Sequence, residues 1–191
     1  MIAPLFPLNS VILPGGRIPL QIFERRYLDM IPRCLREDQG FVMVLLQQQG
    51  PDTVPEAGFH PLGCYVRIVD FEPMSHGLLS ITVEGESKVS VMRHWREANG
   101  LNMGEVVSLP QEPLVATPPM HEDLVTVLKA LCQHPSVQEL DLRIDYDDAR
   151  DLGWRLTELL PLEISDRQTL LEMDDPLERL ETLEGLIESM E

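Results

Sequence analysis

The fold is decided by residues 4–30, which read Pro4-Leu5-Phe6-Pro7-Leu8-Asn9-Ser10-Val11-Ile12-Leu13-Pro14-Gly15-Gly16-Arg17-Ile18-Pro19-Leu20-Gln21-Ile22-Phe23-Glu24-Arg25-Arg26-Tyr27-Leu28-Asp29-Met30. Leu5-Phe6-Pro7-Leu8 is a short apolar run carrying a proline, which has no backbone donor, so it predicts an edge strand ended by that proline. Pro14-Gly15-Gly16 is a turn. Ile18, Leu20 and Ile22 then alternate with Arg17, Pro19 and Gln21 at the period of a half-buried strand. From Glu24 the spacing changes: Tyr27, Leu28, Ile31, Cys34 and Leu35 recur as on one face of a helix. Pro32 within that stretch predicts a kink or an early end.

The same two-residue period continues outward through residues 41–47, 63–71, 79–91 and 103–109. In residues 79–91, Leu79, Ile81, Val83, Val89 and Val91 are apolar, while Thr82, Glu84, Glu86, Lys88 and Ser90 lie between them. Glu84-Gly85-Glu86-Ser87 interrupts the run as a turn or bulge, giving either a hairpin or a sharply bent strand. Lys88, on the polar phase, is expected in solvent. Gln47-Gln48-Gln49-Gly50 reads as a polar strand end and turn. Short strands punctuated by Gly and Pro predict an antiparallel barrel or rolled sheet with one inserted helix, over residues 1–115.

The proline-rich residues 110–119 predict a linker or boundary, and beyond it the period becomes 3.6. Leu124, Val127, Leu128 and Leu131 mark one helix; Ala149, Leu152, Leu156, Leu159 and Leu160 mark a second that stops at Pro161. Ser165 with Gln168 reads as a capping box opening a third. Asp175, with Pro176 at the first helical position and Glu178 three residues after the cap, opens the last. Leu177, Leu180, Leu183, Ile187 and Met190 share a face of that helix, which either closes the subdomain or pairs it with a second copy, with Glu181, Glu184, Glu188 and Glu191 mostly off it. Residues 116–191 are thus expected to form a small acidic helical subdomain, and the whole chain an α+β fold.

Composition bounds the function. The chain has 191 residues and a formal charge of −17, from 32 acidic and 15 basic side chains. Residues 1–115 carry 9 basic and 13 acidic groups, and residues 116–191 carry 6 and 19, so the acidity is concentrated in the helical part. Nucleic-acid and anionic-membrane binding begin by matching phosphates with Lys and Arg, and Lys88 and Lys129 are the only lysines, so neither partner is expected. The longest apolar run, residues 41–46, is far too short to span a bilayer, and the apolar residues 1–8 lack the basic region of a signal peptide and are broken by prolines, so a cytoplasmic location is expected. Cys34, Cys64 and Cys132, odd in number and far apart, read as reduced thiols.

Few motifs in the sequence carry chemistry. Gly58-Phe59-His60-Pro61-Leu62-Gly63 has phosphate-loop spacing but is followed by Cys64-Tyr65, not Lys-Ser. His60 and Cys64 lack the further ligands that a metal site requires. There is no Gly-x-Ser-x-Gly elbow. Asp141 to Asp148 lack the glycine and closing glutamate of a calcium loop and read as a solvated segment entering a helix, and Asp174-Asp175 as a helix start. No catalytic, cofactor or metal residue is assigned.

The opening stretch resembles the start of the Lon protease N-terminal, or substrate-binding, domain. Residues 40–46 are similar to the family's second apolar strand, residues 62–69 to its next, and residues 77–85 to its later hairpin. Ser75-His76-Gly77 stands where the family commonly has Asp-Gly, and Lys88 near a usual arginine. Residues 159–162 and 168–180 resemble the closing helices. Within this resemblance Pro7, Leu8, Phe23, Glu24, Arg26 and Tyr27 are family-motif residues read as architecture. Glu24 and Arg26 would form a local clamp and Tyr27 a packing anchor with a polar tip.

The resemblance implies a β-rich PUA-like pseudo-barrel followed by helices. Lon proteases continue into an ATPase module and a serine–lysine peptidase domain, and this sequence has neither motif, so a non-catalytic recognition module without a cofactor is expected. It would bind unfolded or tagged polypeptide segments or a protein quality-control partner, by strand edges and by a cleft between sheet and helices. The rival readings are a small molecule in that cleft and an unrecognised hydrolase.

Overall fold

The computed structural model describes residues 1–47 and 58–190; most of the Gln47-Gln48-Gln49-Gly50 turn and Glu191 lie outside them. The chain forms two compact units, Met1–Leu109 and Pro110–Glu191.

The first unit contains β1 (Ile2–Leu8), β2 (Arg17–Ile22), α1 (Arg25–Glu37), β3 (Phe41–Leu45), β4 (Leu62–Pro73), β5 (Leu79–Arg96) and β6 (Asn102–Ser108). They make a single sheet in the order β2-β5-β4-β3-β1-β6, and β5 also pairs with β6, so five strands close into a ring. All pairings are antiparallel except β1 with β3. Strand β5 makes this possible by serving two neighbours in turn: Leu79 to Glu84 pair with β2, and Val89 to Arg96 pair with β6.

β1 is not the edge strand that its prolines predict. Residues Leu5 to Leu8 pair with β3 on one flank, and Ile2 to Leu5 pair with β6 on the other. Pro4 and Pro7 each lie in a half of the strand with only one partner, which is how a residue without an N–H fits inside a sheet.

Of the two readings for residues 84–87, the bent strand forms. Tyr65 faces Ser87 and Val66 faces Gly85, leaving Glu86 as a bulge. The extra residue exchanges the two faces of β5. Ile81 and Val83 join the core beneath α1 with Phe6, Tyr27, Ile31 and Phe41, whereas Val89 and Val91 join a second core with Leu5, Val42, Val44 and Val106. Lys88 therefore does not lie in solvent. It is only 5% exposed, and it stands opposite Cys64, a member of the α1 core.

α1 runs through Pro32 for five further residues and ends at Asp38 in the left-handed region, whose N–H caps the Cys34 carbonyl. Tyr27, Met30, Ile31 and Cys34 form its buried stripe.

The second unit begins at Pro110, ahead of the boundary expected after residue 115, because Glu112 and Val115 both pack into it. Its main helices are α2 (Glu122–Leu131), α3 (Pro135–Gln138), α4 (Ala149–Leu159), α5 (Ile164–Glu172) and α6 (Pro176–Glu188). Leu124, Leu128, Leu152, Leu156, Leu170, Leu180 and Leu183 fill the core between them. Asp148 caps α4 and Asp175 caps α6, each carboxylate accepting a backbone N–H two residues on. The capping box expected at Ser165 does not form: Glu163 is the N-cap of α5, and Gln168 instead donates to Glu172. The apolar face of α6 is used within the unit, with Leu180 and Leu183 fully buried and Leu177 and Ile187 packed against the core. Met190, beyond the helix end, is half-exposed.

Candidate functional site

Beyond the start of β3 at Phe41, the sheet continues as a wing. β4 pairs with β3 only from Cys64 to Val66, yet stays paired with β5 to Pro73, while β2 lies on the other side of β5. Directly opposed residues on paired strands project from the same face, so the register defines both surfaces of the wing. One carries the rows Ile18-Val83-Ile68, Leu20-Ile81-Phe71 and Ile22-Leu79-Pro73. The other carries Arg17-Glu84-Arg67, Pro19-Thr82-Asp70 and Gln21-Ser80-Glu72.

The centre of the apolar face is covered: Ile22, Ile81 and Val83 belong to the same core as Tyr27, Met30 and Ile31 of α1. Its margins are open. Ile18, Leu20, Ile68 and Leu79 are half-buried, and Phe71 is 53% exposed. A row of aliphatic side chains ending in an exposed aromatic ring is a surface suited to other apolar side chains. The polar face is held by ion pairs, Arg17 with Glu84 at 2.6 Å and Arg67 with both Glu86 and Asp38.

The motif residues separate into two groups. Pro7 and Leu8 stand opposite Val44 and Leu45, and the Leu8 carbonyl accepts from Leu46 N–H at 3.0 Å. Arg26 bridges the start of α1 to the loop before β6: one Nη is 2.7 Å from Glu24 Oε2, and the other donates to the Gly100 carbonyl at 3.0 Å. Its guanidinium also lies 4.7 Å from the centre of the Tyr27 ring. Tyr27 is buried 4.1 Å from Phe6, centroid to centroid, and burial pushes its hydroxyl pKa upward. Phe23 stands apart at 70% exposure: Ile22 takes the inward position at the end of β2, so the next side chain turns outward.

Other candidate chemistry is modest. A pocket of about 220 Å³ opens between β1, α1 and β6, with Arg33, Cys34 and Glu37 on its helical wall. That is smaller than the roughly 300–1,000 Å³ of typical small-molecule sites. Burial pushes the Cys34 thiol pKa upward, opposite to what a nucleophile requires. His121 is engaged by Glu184 at 2.6 Å, the His94 ring lies against Phe59 at a 60° tilt, and His134 accepts a backbone N–H at the start of α3. Among the described residues no cluster of three His, Cys, Asp or Glu is arranged to hold a metal, and no helix is long and apolar enough to cross a membrane.

A closed sheet with one inserted helix, followed by a leucine-cored helical unit, is also what comparison with known proteins returns. The family model for the ATP-dependent protease La (LON) substrate-binding domain matches residues 2–189. The chain belongs to this family. Among solved structures, the Lon N-terminal domain protein from Xanthomonas campestris superposes with a TM-score of 0.79 at 38% identity, covering 97% of this chain and 98% of that one. The N-terminal domain of the Mycobacterium avium complex Lon protease shares the fold at 17% identity and a TM-score of 0.65, covering 96% of each chain. The Lon proteases of Vibrio parahaemolyticus and Escherichia coli (strain K12) are 24% and 23% identical to it over 97% of this chain. The chain spans 24% of the length of those two relatives.

The wing was only partly visible in the sequence. Alternation exposed the strands, but β4 runs on past Val66 without a partner on that flank because β3 begins only at Phe41, which no local pattern specifies.

Proposed function

We propose that the chain is a non-catalytic recognition module whose wing binds exposed apolar segments of unfolded or tagged polypeptides on behalf of a protein quality-control system. The observation that carries this reading is the apolar face formed by Leu20, Ile68, Leu79 and Phe71, open at its margins. Membership of the substrate-binding family supports it. Burying the exposed half of the Phe71 ring and the smaller exposed margins of the three aliphatic side chains contributes at roughly 25 cal/mol per Å² before association costs, enough for a weak, reversible contact that tolerates many sequences.

Binding is measured as the fluorescence anisotropy of a labelled, permanently unfolded polypeptide titrated with the protein in the absence of ATP. A folded control and a single-stranded RNA are run beside it, and the −17 charge predicts no RNA binding. Saturable binding of the unfolded chain, weakened at least about tenfold by Phe71→Asp in a variant that keeps its thermal midpoint, supports the reading. No binding up to high micromolar concentration, or binding indifferent to Phe71→Asp, overturns it.

A further inference from the structure

The pocket between β1, α1 and β6 has two chemically distinct walls. Ile2 and Pro4 are two residues apart on β1 and so share a face, and Pro4 stands opposite Met103 of β6. Pro4, Met103 and Cys34 of α1 are buried and form its floor, while Ile2 is exposed at its rim. The other wall is the face of α1 that carries Arg33 and Glu37, four residues and about one helical turn apart.

These two charges have no ion-pair partner among the described residues, not even each other. Arg25 and Asp29 have the same spacing on the same helix and do pair, at 3.2 Å. Both pocket charges nevertheless act on the floor. Burial is the main cause of the raised Cys34 thiol pKa; Arg33 opposes the shift and Glu37 adds to it, so the thiol feels a cation and an anion together. Arg33 is half-buried, and a guanidinium that has lost part of its hydration without gaining a counter-ion is suited to a carboxylate. Glu37 repels a simple anion but suits an ammonium group.

We propose that this pocket binds a free aliphatic α-amino acid, with its carboxylate on Arg33, its ammonium on Glu37 and its side chain against Ile2, Pro4 and Met103. Such a ligand bridges the two charges that α1 leaves apart. The size agrees: about 220 Å³ holds roughly seven waters at about 30 Å³ each, the scale of one amino acid and below that of a drug-sized molecule. An internal polypeptide segment carries neither of the two backbone charges, so this site is separate from the wing in chemistry as well as in position, and does not depend on polypeptide binding there.

L-Leucine titrated into the intact, isotope-labelled protein and followed by amide chemical shifts tests the assignment. Saturable shifts centred on α1, β1 and β6 are expected, with a Kd in the high-micromolar to millimolar range that suits so small a ligand. Isocaproate, which lacks the ammonium, and isoamylamine, which lacks the carboxylate, are each expected to bind at least about tenfold more weakly. Arg33→Gln and Glu37→Gln should each weaken leucine by a similar factor and leave the thermal midpoint in place, since neither side chain has an ion pair to lose. No saturable shift up to tens of millimolar leucine, shifts centred elsewhere, or binding indifferent to Arg33→Gln overturns the site. Isocaproate or isoamylamine binding as tightly as leucine overturns the amino-acid assignment.

Discussion

Glu112 and Arg179, 67 residues apart in sequence, meet as a two-pronged ion pair in the interior of the helical unit, with Nη1 and Nη2 at 3.0 and 2.6 Å from the two carboxylate oxygens. Arg179 is fully buried, and its other donors reach the carbonyls of Leu170 and Met173. The guanidinium lies 3.4 Å from the centre of the Trp154 ring. Burial pushes the pKa of Arg179 below the usual arginine value, and Glu112 opposes that shift. The pair thus ties the proline-rich start of the unit to α5 and α6.

Glu112→Ala is expected to destabilise the helical unit by about 3–5 kcal/mol, because it leaves a buried cation without its counter-ion. The double variant Glu112→Leu with Arg179→Met should lose less, since it removes both charges together. Urea unfolding followed by far-UV circular dichroism measures both. A single variant as stable as the unmodified protein would mean that residues 110–115 are not held by this pair.

Gly85 sits where the Pro14-Gly15-Gly16 turn docks on the bulge of β5. Gly15 N–H donates to the Gly85 carbonyl at 2.8 Å, and Gly85 N–H donates to the Gly16 carbonyl at 2.9 Å. A β-carbon on Gly85 would collide with the Leu13 carbonyl oxygen. Gly85→Ala is accordingly expected to cost about 1–3 kcal/mol, the range for overpacking. The thermal midpoint reports it, with Gly185→Ala in α6, where an added methyl meets nothing, as the control.

What the sequence disclosed and what it hid divide along the range of the interactions. Ile18, Leu20 and Ile22 declare a strand by alternation, and Asp175-Pro176 declares a helix start, because both signals are local. Ser165 and Gln168 carry an equally local signal, yet Glu163 begins α5 two residues earlier, where the chain leaves Pro161. The burial of Lys88 was out of reach: its phase depends on the bulge at Glu86, which is set by pairing with Tyr65 and Val66 on another strand. The parallel partnership of β1 with β3 is non-local in the same sense. The site suffers most, since the wing exists because β4 runs on past the start of a neighbouring strand, β3.

Asp151 supplies a pH prediction. Burial raises its pKa, outweighing the opposing effects of the Asp145 N–H at 2.6 Å and of Arg155. A carboxyl whose folded pKa lies above its unfolded value binds its proton more tightly when folded, so it favours folding most at low pH. That contribution is fully present below the unfolded value of about 4 and is lost as pH rises through the raised folded value. The stability of the unmodified protein relative to Asp151→Asn should therefore fall across that window and be flat near neutrality. Urea unfolding of both proteins over a pH series checks the sign; a difference that grows in favour of Asp151 with rising pH would contradict it.

Arg26 separates architecture from recognition within the opening motif. Its hydrogen bonds to Glu24 and Gly100 and its position over Tyr27 place it in the framework joining α1 to the loop before β6. Arg26→Ala is expected to cost about 1.5–3 kcal/mol, the range for hydrogen bonds involving a charged group, and Arg26→Lys somewhat less. Affinity for the unfolded polypeptide, measured at a temperature where the variant stays folded, should remain within about twofold of the unmodified protein. Phe23→Ser is expected to do the reverse, changing stability by less than about 0.5 kcal/mol because the ring is already largely in solvent. It should weaken polypeptide binding, since Phe23 is a large apolar group exposed at the end of β2, beside the wing. A loss of affinity in Arg26→Ala exceeding that in Phe23→Ser would move the contact surface from the wing to the start of α1.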